Sequence, residues 1–450
     1  MHQTIARRIL LVNRMSKPAS NSKTAGHASV THTRHVSFLR RLGPGLITGA
    51  ADDDPSGIAT YSQVGAQFGM GMLWTMLFSF PLMSAIQEIC ARLGRITGEG
   101  VAENIRKNYP KPLLYGLIFL LCVANIFNLG ADVSAMGAAA QLVFGGSLNA
   151  YALAFGFASL LLQIFVPYKK YVRFLKGLTL ALFAYVATAF VVHVPWLAAF
   201  RATVVPSISW TAAYWMALVA VLGTTISPYL FFWQASEEAE DERLKKGDEP
   251  LTKKPSQARA QFHRIAIDTR VGMAFSNMVA FFIILTTAIT LHTSAASSNI
   301  NTAADAAKAL RPLAGHFAFL LFALGIIGTG LLAVPVLAGS AAYAVAEAFQ
   351  WRHSLESKPR KAPKFYAVLA AAMLIGISLN FLGMNPIRAL FLSAVINGVV
   401  AVPLMIMLML MSSNPKITGE FKAPRYVTVV GWAATAVMFA ASLGFIVGAL

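Results

Sequence analysis

Stretches of about twenty apolar residues, almost free of charge, recur along the whole chain. An α-helix of that length crosses the hydrocarbon core of a bilayer. The pattern therefore predicts an all-α, polytopic membrane protein with about eleven transmembrane helices. The predicted spans lie near residues 40–66, 70–91, 113–143, 147–167, 173–194, 210–236, 269–292, 314–348, 364–383, 386–411 and 427–449.

The composition strengthens this prediction because it is far from that of a soluble domain. The 450 residues are 56% hydrophobic and only 12% charged, with a mean hydropathy of +0.61. Cys90 and Cys122 are single cysteines inside predicted spans, so we expect neither a disulfide framework nor a Cys-x-x-Cys metal motif. We interpret both as small core residues.

The formal net charge of +18 would suit a nucleic-acid-binding protein if the basic residues shared one soluble face. They lie instead before residue 42 and in connections between spans, at 106–111, 169–176, 243–270, 352–364 and 416–425. A cytoplasmic N-terminus and an odd number of spans place all of these segments in the cytoplasm. We therefore expect a multi-pass membrane protein with a cytoplasmic N-terminus, in contact with the lipid bilayer. We expect no nucleic acid partner and infer no obligate protein partner.

Two predicted spans are interrupted near their middle. The first contains Asp52-Asp53-Asp54-Pro55-Ser56-Gly57, and the sixth contains Gly223-Thr224-Thr225-Ile226-Ser227-Pro228. Proline removes a backbone donor and opens a helix, which frees carbonyl oxygens that can coordinate a cation. Proline kinks without a function are also common in membrane helices, so Pro228 alone is ambiguous. The acidic run Asp52-Asp53-Asp54 is stronger evidence for a functional site, because charged side chains deep in a span usually serve a function.

The positions of the two interruptions predict the domain organisation. Each falls in the first span of a group of five, which is the pattern of two inverted five-helix repeats. We predict a basic cytoplasmic tail at 1–39, expected to be disordered, followed by a transmembrane domain at 40–450. Within that domain, repeat one covers about 40–195, repeat two about 210–411, and an extra helix about 427–449.

Other polar residues inside spans leave alternatives open. Asn125, Asn128 and Asp132 share one face of the third span, where they either line a permeation route or join helices by hydrogen bonds. Asn397 is a single amide in the tenth span, and we assign it to packing. A further group at the inner end of the sixth span fits either an acidic vestibule or a solvated helix end: Gln234, Glu237 and Glu238.

Short motifs follow one another in a fixed order between residues 40 and 450. They are Gly43-Pro44-Gly45, Asp54-Pro55-Ser56-Gly57, Gln67-Phe68-Gly69, Arg92-Leu93-Gly94-x-x-Thr97-Gly98, Gly223 to Pro228, Asp268-Thr269 and Gly419-Glu420-Phe421. This order resembles that of the NRAMP family of divalent metal transporters. The resemblance implies a LeuT-like fold, a plasma-membrane location and uptake of a divalent metal ion as the substrate. No nucleophile, base and orienting group occur together in a recognisable motif, so we expect neither an enzyme nor a cofactor.

Departures from the family pattern bear on the substrate. The family motif Asp-Pro-Gly-Asn reads Asp54-Pro55-Ser56-Gly57 here, which keeps the metal-binding Asp and loses the Asn amide. In the sixth span, Ser227 replaces the family's Met, and Tyr229 replaces the His associated with proton movement. A thioether favours transition metals, whereas carboxylate, hydroxyl and carbonyl oxygens suit hard cations. The exchanges therefore favour the magnesium-transporting branch as the nearest analogue, with Mn²⁺ also compatible.

The resemblance and these exchanges together predict the site residues. Asp54 is the expected central ligand, and Asp53 is expected to tune the charge. The other predicted metal ligands are the carbonyls of Ala51 and Thr224, the hydroxyl of Ser227, and Gly57. Candidates for a proton or permeation path are Asp52, Tyr229, Asn125, Asn128 and Asp132. The loss of the family His leaves open both uniport and proton coupling through Asp52, Asp53 or Asp132.

Two other classes of function stay open at this point. LeuT-like carriers also move small organic solutes, which they bind with the positive ends of half-helices. The Asp run argues against an anionic solute but does not exclude an amine. A cation sensor that does not transport is a further alternative, although the chain has no evident soluble domain to transmit a signal.

Overall fold

The computed structural model describes residues 44–166, 179–245, 247–292, 300–356 and 358–449. Within these ranges the chain is helical, without a β-strand, and a helix occurs at every predicted span. The all-α prediction is therefore confirmed. The predicted tail at 1–39 and the basic segment at 169–176 lie outside the described residues.

The helices at the predicted spans are numbered in chain order, with a and b for the halves of a broken helix. They are α1a Pro44–Asp52, α1b Pro55–Phe68, α2 Trp74–Thr97, α3 Lys111–Phe144, α4 Leu148–Phe165, α5 Phe183–Val191, α6a Ala212–Thr225, α6b Pro228–Leu244, α7 Ala258–Thr290, α8 Ala318–Ala348, α9 Pro363–Ser378, α10 Pro386–Ser413 and α11 Arg425–Ala449. The connections contain short helices at Val101–Asn108, Trp196–Val204, Ala303–Ala307, Arg311–Ala314 and Pro415–Thr418. They also contain 3-10 turns at Gly69–Met72, Thr179–Leu182, Pro255–Gln257, Lys308–Leu310, Gly315–Phe317, Pro359–Lys361 and Leu379–Leu382.

The number of spans depends on how the broken first helix is counted. By length and apolar composition, 8 of the described helices can cross a membrane, or 9 if the pair Pro55–Met72 and Trp74–Thr97, bent by 108°, is one span. The sequence predicts about eleven spans because it counts α1 and α2 as two separate spans and also counts α5. Neither half of α1 is long enough to cross a membrane alone, because the acidic run and Pro55 divide its apolar residues between helices of 9 and 14 residues. The α5 helix has 9 residues and follows chain outside the described ranges.

The α7 helix begins earlier than predicted, at Ala258 rather than near residue 269. Its first turns carry charged side chains, so hydropathy does not mark them as part of a span. One of these charges is bound by another element, as Arg264 Nη2 lies 2.5 Å from Glu238 Oε2 of α6b. Tertiary contacts therefore extend the helix beyond its apolar part.

The packing follows the two predicted repeats. The α1 helix packs on α7, and the equivalent contact with the repeats exchanged is that of α6b with α2. In the same way, α3 packs on α4 in the first repeat and α8 packs on α9 in the second. The α3 and α8 helices, which hold equivalent positions in the two repeats, pack on each other. These pairs exchange when the first five helices are swapped with the next five, as expected of an inverted repeat. The α11 helix lies outside this scheme and packs on α2, α6a and α10.

Two glycines allow the broken helices to approach their neighbours closely. A Cβ atom at Gly49 of α1a would lie 2.3 Å from the carbonyl oxygen of Gly272 in α7. A Cβ atom at Gly223 of α6a would lie 2.1 Å from the carbonyl oxygen of Ala394 in α10. Small residues at such contacts are typical of membrane helices. Both half-helices are thus held by backbone contact just before they break.

Candidate cation site

The break in α1 is built by a helix cap as well as by proline. Asp54 has an extended backbone, with φ −71° and ψ 169°, and its Oδ1 accepts a hydrogen bond from the Gly57 amide at 2.7 Å. Asp is among the preferred N-cap residues, and Pro55 takes the first helical position, where its missing N–H is not needed. The local sequence therefore ends one helix at Asp52 and starts the next at Pro55.

The break in α6 is also followed by a proline at the start of the second half-helix, but the Ser227 side chain does not cap that helix as Asp54 caps α1b. The α6b helix starts at Pro228, and the Ser227 hydroxyl before it turns back onto α6a. It contacts the carbonyl oxygens of Gly223 at 2.9 Å and Thr224 at 2.8 Å as a donor. Two predicted ligands, the Thr224 carbonyl and the Ser227 hydroxyl, thus already touch each other. The Ser227 oxygen keeps its acceptor lone pairs.

The two breaks face each other in the structure. Tyr229 of α6b donates from its hydroxyl to the carbonyl oxygen of Ala51 at 2.9 Å. A Cβ atom at Gly57 would lie 3.0 Å from Thr224 Oγ1, so the missing side chain lets α1b approach α6a. The Ala51 carbonyl, a predicted metal ligand, is therefore engaged by Tyr229.

Asp54 is buried at this junction, with 1% of its surface exposed. Its Oδ1 accepts from Ser56 Oγ at 2.8 Å and from the Gly57 amide, and its Oδ2 accepts from Asn128 Nδ2 at 2.9 Å. A carboxylate offers about four lone-pair positions. Three donors therefore orient this carboxylate and leave it able to accept one more partner.

Asn128 of α3 links the site to two further helices. Its Nδ2 also donates to Asp132 Oδ2 at 3.1 Å, and its Oδ1 accepts from Asn397 Nδ2 of α10 at 2.9 Å. These bonds fix the amide with its nitrogen towards both carboxylates. Asn125 differs, because its Nδ2 donates to the Leu337 carbonyl of α8 at 3.2 Å. Of the three polar residues on this face, Asn128 and Asp132 reach the site and Asn125 joins two helices.

The side chains of Asp52 and Asp53 contact α7, whereas that of Asp54 contacts α3. The Ser276 hydroxyl lies 2.6 Å from Asp52 Oδ2 and 3.1 Å from Asp53 Oδ1. Among the described residues, three carboxylate oxygens here accept no hydrogen bond: Asp52 Oδ1, Asp53 Oδ2 and Asp132 Oδ1. Buried acceptors without a donor are uncommon in proteins, and these are suited to a cation.

The three neighbouring carboxylates do not form one ligand set. In the part of the chain that the structure describes, no three His, Cys, Asp or Glu side chains are grouped to hold a metal ion together. Asp54 points to α3, whereas Asp52 and Asp53 contact α7. The three carboxylates are therefore oriented towards different helices.

Contacts at the N-terminal end of α1a close one side of the site. Asp268 of α7 accepts from the Gly45 amide through Oδ2 at 2.8 Å. Thr48 donates from its hydroxyl to Gln234 Oε1 of α6b. Together these bonds join α1a to both α7 and α6b.

Glu238 of α6b belongs to the same closed region. It is fully buried and pairs with Arg264, which also lies 3.9 Å from Asp268 Oδ2. The interpretation of this helix end as solvated is therefore wrong for Glu238. The sequence could not indicate this, because the partner comes from the early start of α7.

Two residues of the site were missed or misassigned. Ser276 carries no sequence signal, since serine is common in membrane helices. Asn397, assigned to packing, binds Asn128 beside Asp54. The sequence does indicate a polar contact for Asn397, because an amide in the middle of an apolar span needs a hydrogen-bond partner.

Comparison with known sequences gives a family match over nearly the whole chain. The model described as natural resistance-associated macrophage protein-like, Nramp, matches residues 45–448. The divalent metal cation transporter MntH of Klebsiella pneumoniae is 28% identical over 422 residues, which cover 92% of this chain and 95% of that protein.

Solved structures give a consistent result for the fold. A manganese transporter of Eremococcus coleocola is similar with a TM-score of 0.70 at 16% identity, covering 91% of this chain and 87% of that chain. Mhp1, a nucleobase-cation-symport-1 family transporter, is similar with a TM-score of 0.57 at 13% identity, covering 91% and 92%. At these identities the likeness concerns the fold alone, and it confirms the predicted LeuT-like fold.

Proposed function

The chain belongs to the natural resistance-associated macrophage protein-like (Nramp) family, and from this premise we propose that it moves a divalent metal cation across the plasma membrane. Members of this family are transporters rather than enzymes. The proposed mechanism is alternating access, in which the two repeats move about a central site at Asp54.

One observation carries the proposal: Asp54 is buried where the two broken helices meet. A charged side chain deep in a bilayer costs at least about 2.5 kcal/mol, so it is retained where it binds something. Three donors hold this carboxylate in one orientation. Such a preorganised anionic oxygen is suited to a positively charged substrate.

The remaining ligands are proposed to be neutral oxygens. The Ser227 hydroxyl and the Thr224 carbonyl lie at the break of α6 that faces Asp54. Gly57 contributes by letting these groups come close. A set of carboxylate, hydroxyl and carbonyl oxygens favours Mg²⁺ or Mn²⁺ over softer metals.

Alternating access requires contacts that can open. We assign this role to the bonds from α1a to Asp268 and Gln234, which hold the half-helix against α7 and α6b. Movement of α1a would break them and expose Asp54 on that side. Asp52 and Asp53 are proposed to lie along the route because they share Ser276 on α7.

The orientation is also a proposal. The start of α1a, the last turns of α6b and the first turns of α7 lie on one side, because Asp268 of α7 binds Gly45 and Arg264 of α7 binds Glu238 of α6b. Basic connections flank these ends, which favours the cytoplasm for this side and for the N-terminus.

Substitution of Asp54 tests the site. Asp54→Asn keeps the size and the cap and removes the charge, so we expect uptake of Mg²⁺ and Mn²⁺ into proteoliposomes to fall to background. Asp305→Asn is a matched control, because Asp305 caps the short helix Ala303–Ala307 away from the site. It is expected to leave uptake unchanged.

The same assay separates the open alternatives. Uptake is measured for Mg²⁺, Mn²⁺ and Ca²⁺, with and without a pH gradient, and cation binding is measured by calorimetry beside a panel of organic amines. Unchanged metal uptake by the Asp54→Asn variant would reject the site. Binding of an amine but of no metal would favour a carrier of organic solutes.

A further inference from the structure

A cavity of about 470 Å³ opens where α6b and α8 end, on the side of the basic connections. Arg243 and Leu244 line it from α6b, and Trp351, Arg352 and Lys361 line it from the connection to α9. Small-molecule sites in proteins have volumes of about 300–1,000 Å³. The cavity is thus large enough for a ligand, and it is separate from the cation site.

The cavity carries an excess of positive charge. The side chains of Arg243, Arg352 and Lys361 are exposed and form no hydrogen bond or ion pair with any residue that the structure describes. Glu240 is the acidic side chain in the lining. Three cations from two separate segments therefore face one space without a bound carboxylate.

Glu240 forms no ion pair with these three cations, and its single negative charge offsets only one of them. It is 4% exposed, and both of its oxygens are engaged. Its Oε1 accepts from Ser354 Oγ at 2.7 Å and from the Glu356 amide at 3.2 Å, and its Oε2 accepts from the Tyr343 hydroxyl at 2.5 Å. The carboxylate thus fixes the floor of the cavity by anchoring the connection that carries Arg352.

The wall of the cavity also contains an unusual backbone conformation. Gln350 has φ 58° and is the one non-glycine residue with positive φ in the described ranges. It follows the end of α8, where the Trp351 amide donates to the Ala346 carbonyl at 2.8 Å. Glycine usually takes this position, and another residue costs about 1 kcal/mol. With its amide oxygen turned towards the short helix Val101–Asn108, the Gln350 side chain accepts from Arg106 Nη2 at 2.9 Å and Nη1 at 3.1 Å, and this contact holds that part of the wall in place.

We propose that this cavity binds a phosphate-bearing anion through Arg243, Arg352 and Lys361. Guanidinium groups bind phosphate oxygens in pairs, and lysine adds a point charge. Two sources share this chemistry, namely the headgroup of an anionic lipid and a soluble phosphate compound. Basic pockets on the cytoplasmic side of membrane proteins commonly take such headgroups. The bound anion would hold the end of α6b against the α8–α9 connection.

Binding measurements on the purified full-length protein test this inference. The protein is titrated in neutral detergent, at constant ionic strength, with short-chain phosphatidylglycerol and separately with inorganic phosphate. The test variant combines Arg243→Gln, Arg352→Gln and Lys361→Gln. The matched control combines Lys253→Gln, Arg259→Gln and Lys416→Gln, which removes the same charge from exposed positions outside the cavity.

We expect saturable binding of at least one probe by the wild type and the control, and a loss of at least tenfold in affinity for the test variant. Saturation by phosphatidylglycerol alone identifies the lipid headgroup as the source, and saturation by inorganic phosphate identifies a soluble one. The proposal is overturned if neither probe saturates, if the test variant binds as the wild type does, or if the control loses as much affinity. Melting temperatures of all three proteins verify that they are folded. The result does not depend on metal transport.

Discussion

At the scale of single residues, the site is organised by amide and hydroxyl groups rather than by further charges. Asn128 donates to both Asp54 and Asp132, and Asn397 fixes its orientation. The family's first-span Asn is replaced by Gly57 in this chain. An amide next to Asp54 is nevertheless present, supplied by α3.

Removal of the Asn128 amide is expected to weaken cation binding. The Asn128→Ala change deletes the donor that holds Asp54 Oδ2, and a hydrogen bond to a charged group contributes about 1.5–3 kcal/mol. We expect a loss of affinity for Mg²⁺ or Mn²⁺ of about tenfold to a hundredfold, measured by calorimetry. Asn277→Ala is the control, because its amide binds the Met76 carbonyl of α2 outside the site. Equal affinities of the two variants would contradict the role given to Asn128.

The Ser276 hydroxyl is expected to contribute to stability. The Ser276→Ala change leaves the buried oxygens of Asp52 and Asp53 without their shared partner, which typically costs about 1–3 kcal/mol. The melting temperature of the purified protein should therefore fall. Ser442→Ala is the control, since the Ser442 hydroxyl is buried and has no partner among the described residues. If both variants melt at the same temperature, Ser276 does not support the two carboxylates.

At the scale of helices, the position of α1a depends on backbone contact. Gly49 faces the Gly272 carbonyl in α7, and a side chain there would push the half-helix away. The Asp268 and Gln234 contacts sit on the same half-helix. The break at Asp54 is thus held through the half-helix that we propose moves during transport.

Alanine at Gly49 is expected to destabilise the protein. Its Cβ would lie 2.3 Å from a backbone oxygen, and overpacking of this kind costs about 1–3 kcal/mol. Gly116→Ala is a matched control, because a Cβ at Gly116 of α3 meets no atom within 4 Å. Melting temperatures should fall for Gly49→Ala and stay unchanged or rise for Gly116→Ala. A stable Gly49→Ala variant with normal uptake would show that α1a tolerates displacement.

At the scale of the whole molecule, two inverted repeats bring distant residues to one centre. The broken helices come from different repeats, and α3 and α10 add the amides that orient Asp54. A cation bound there contacts both repeats at once. Its binding should therefore stabilise the entire fold.

Stabilisation by metal provides a test at this scale. A ligand at about one hundred times its dissociation constant adds about 2.7 kcal/mol to the free energy of unfolding. We expect Mg²⁺ or Mn²⁺ to raise the melting temperature of the wild type and of Asp305→Asn. Asp54→Asn should show no such shift. A metal-dependent shift that survives in Asp54→Asn would locate the stabilising ion elsewhere.

The sequence by itself determined the features that depend on local chemistry. Apolar length predicts the helices, basic connections predict an orientation, and Asp54 before Pro55 predicts a helix start. The order of the two interruptions predicts the repeats. Except for the repeats, which depend on the order of the spans, these predictions need only residues that are neighbours along the chain.

Only the tertiary structure decided which partner each carboxylate takes. Asp54 binds Asn128, 74 residues away, whereas Asp52 binds Ser276, 224 residues away, although the two acids are almost adjacent in sequence. The helix break between Asp52 and Pro55 changes the direction of successive side chains. Their partners arrive on helices from both repeats, and no local pattern encodes that meeting. The physical reason is that hydrogen-bond partners are selected by the packing of the helices, which the whole chain determines together.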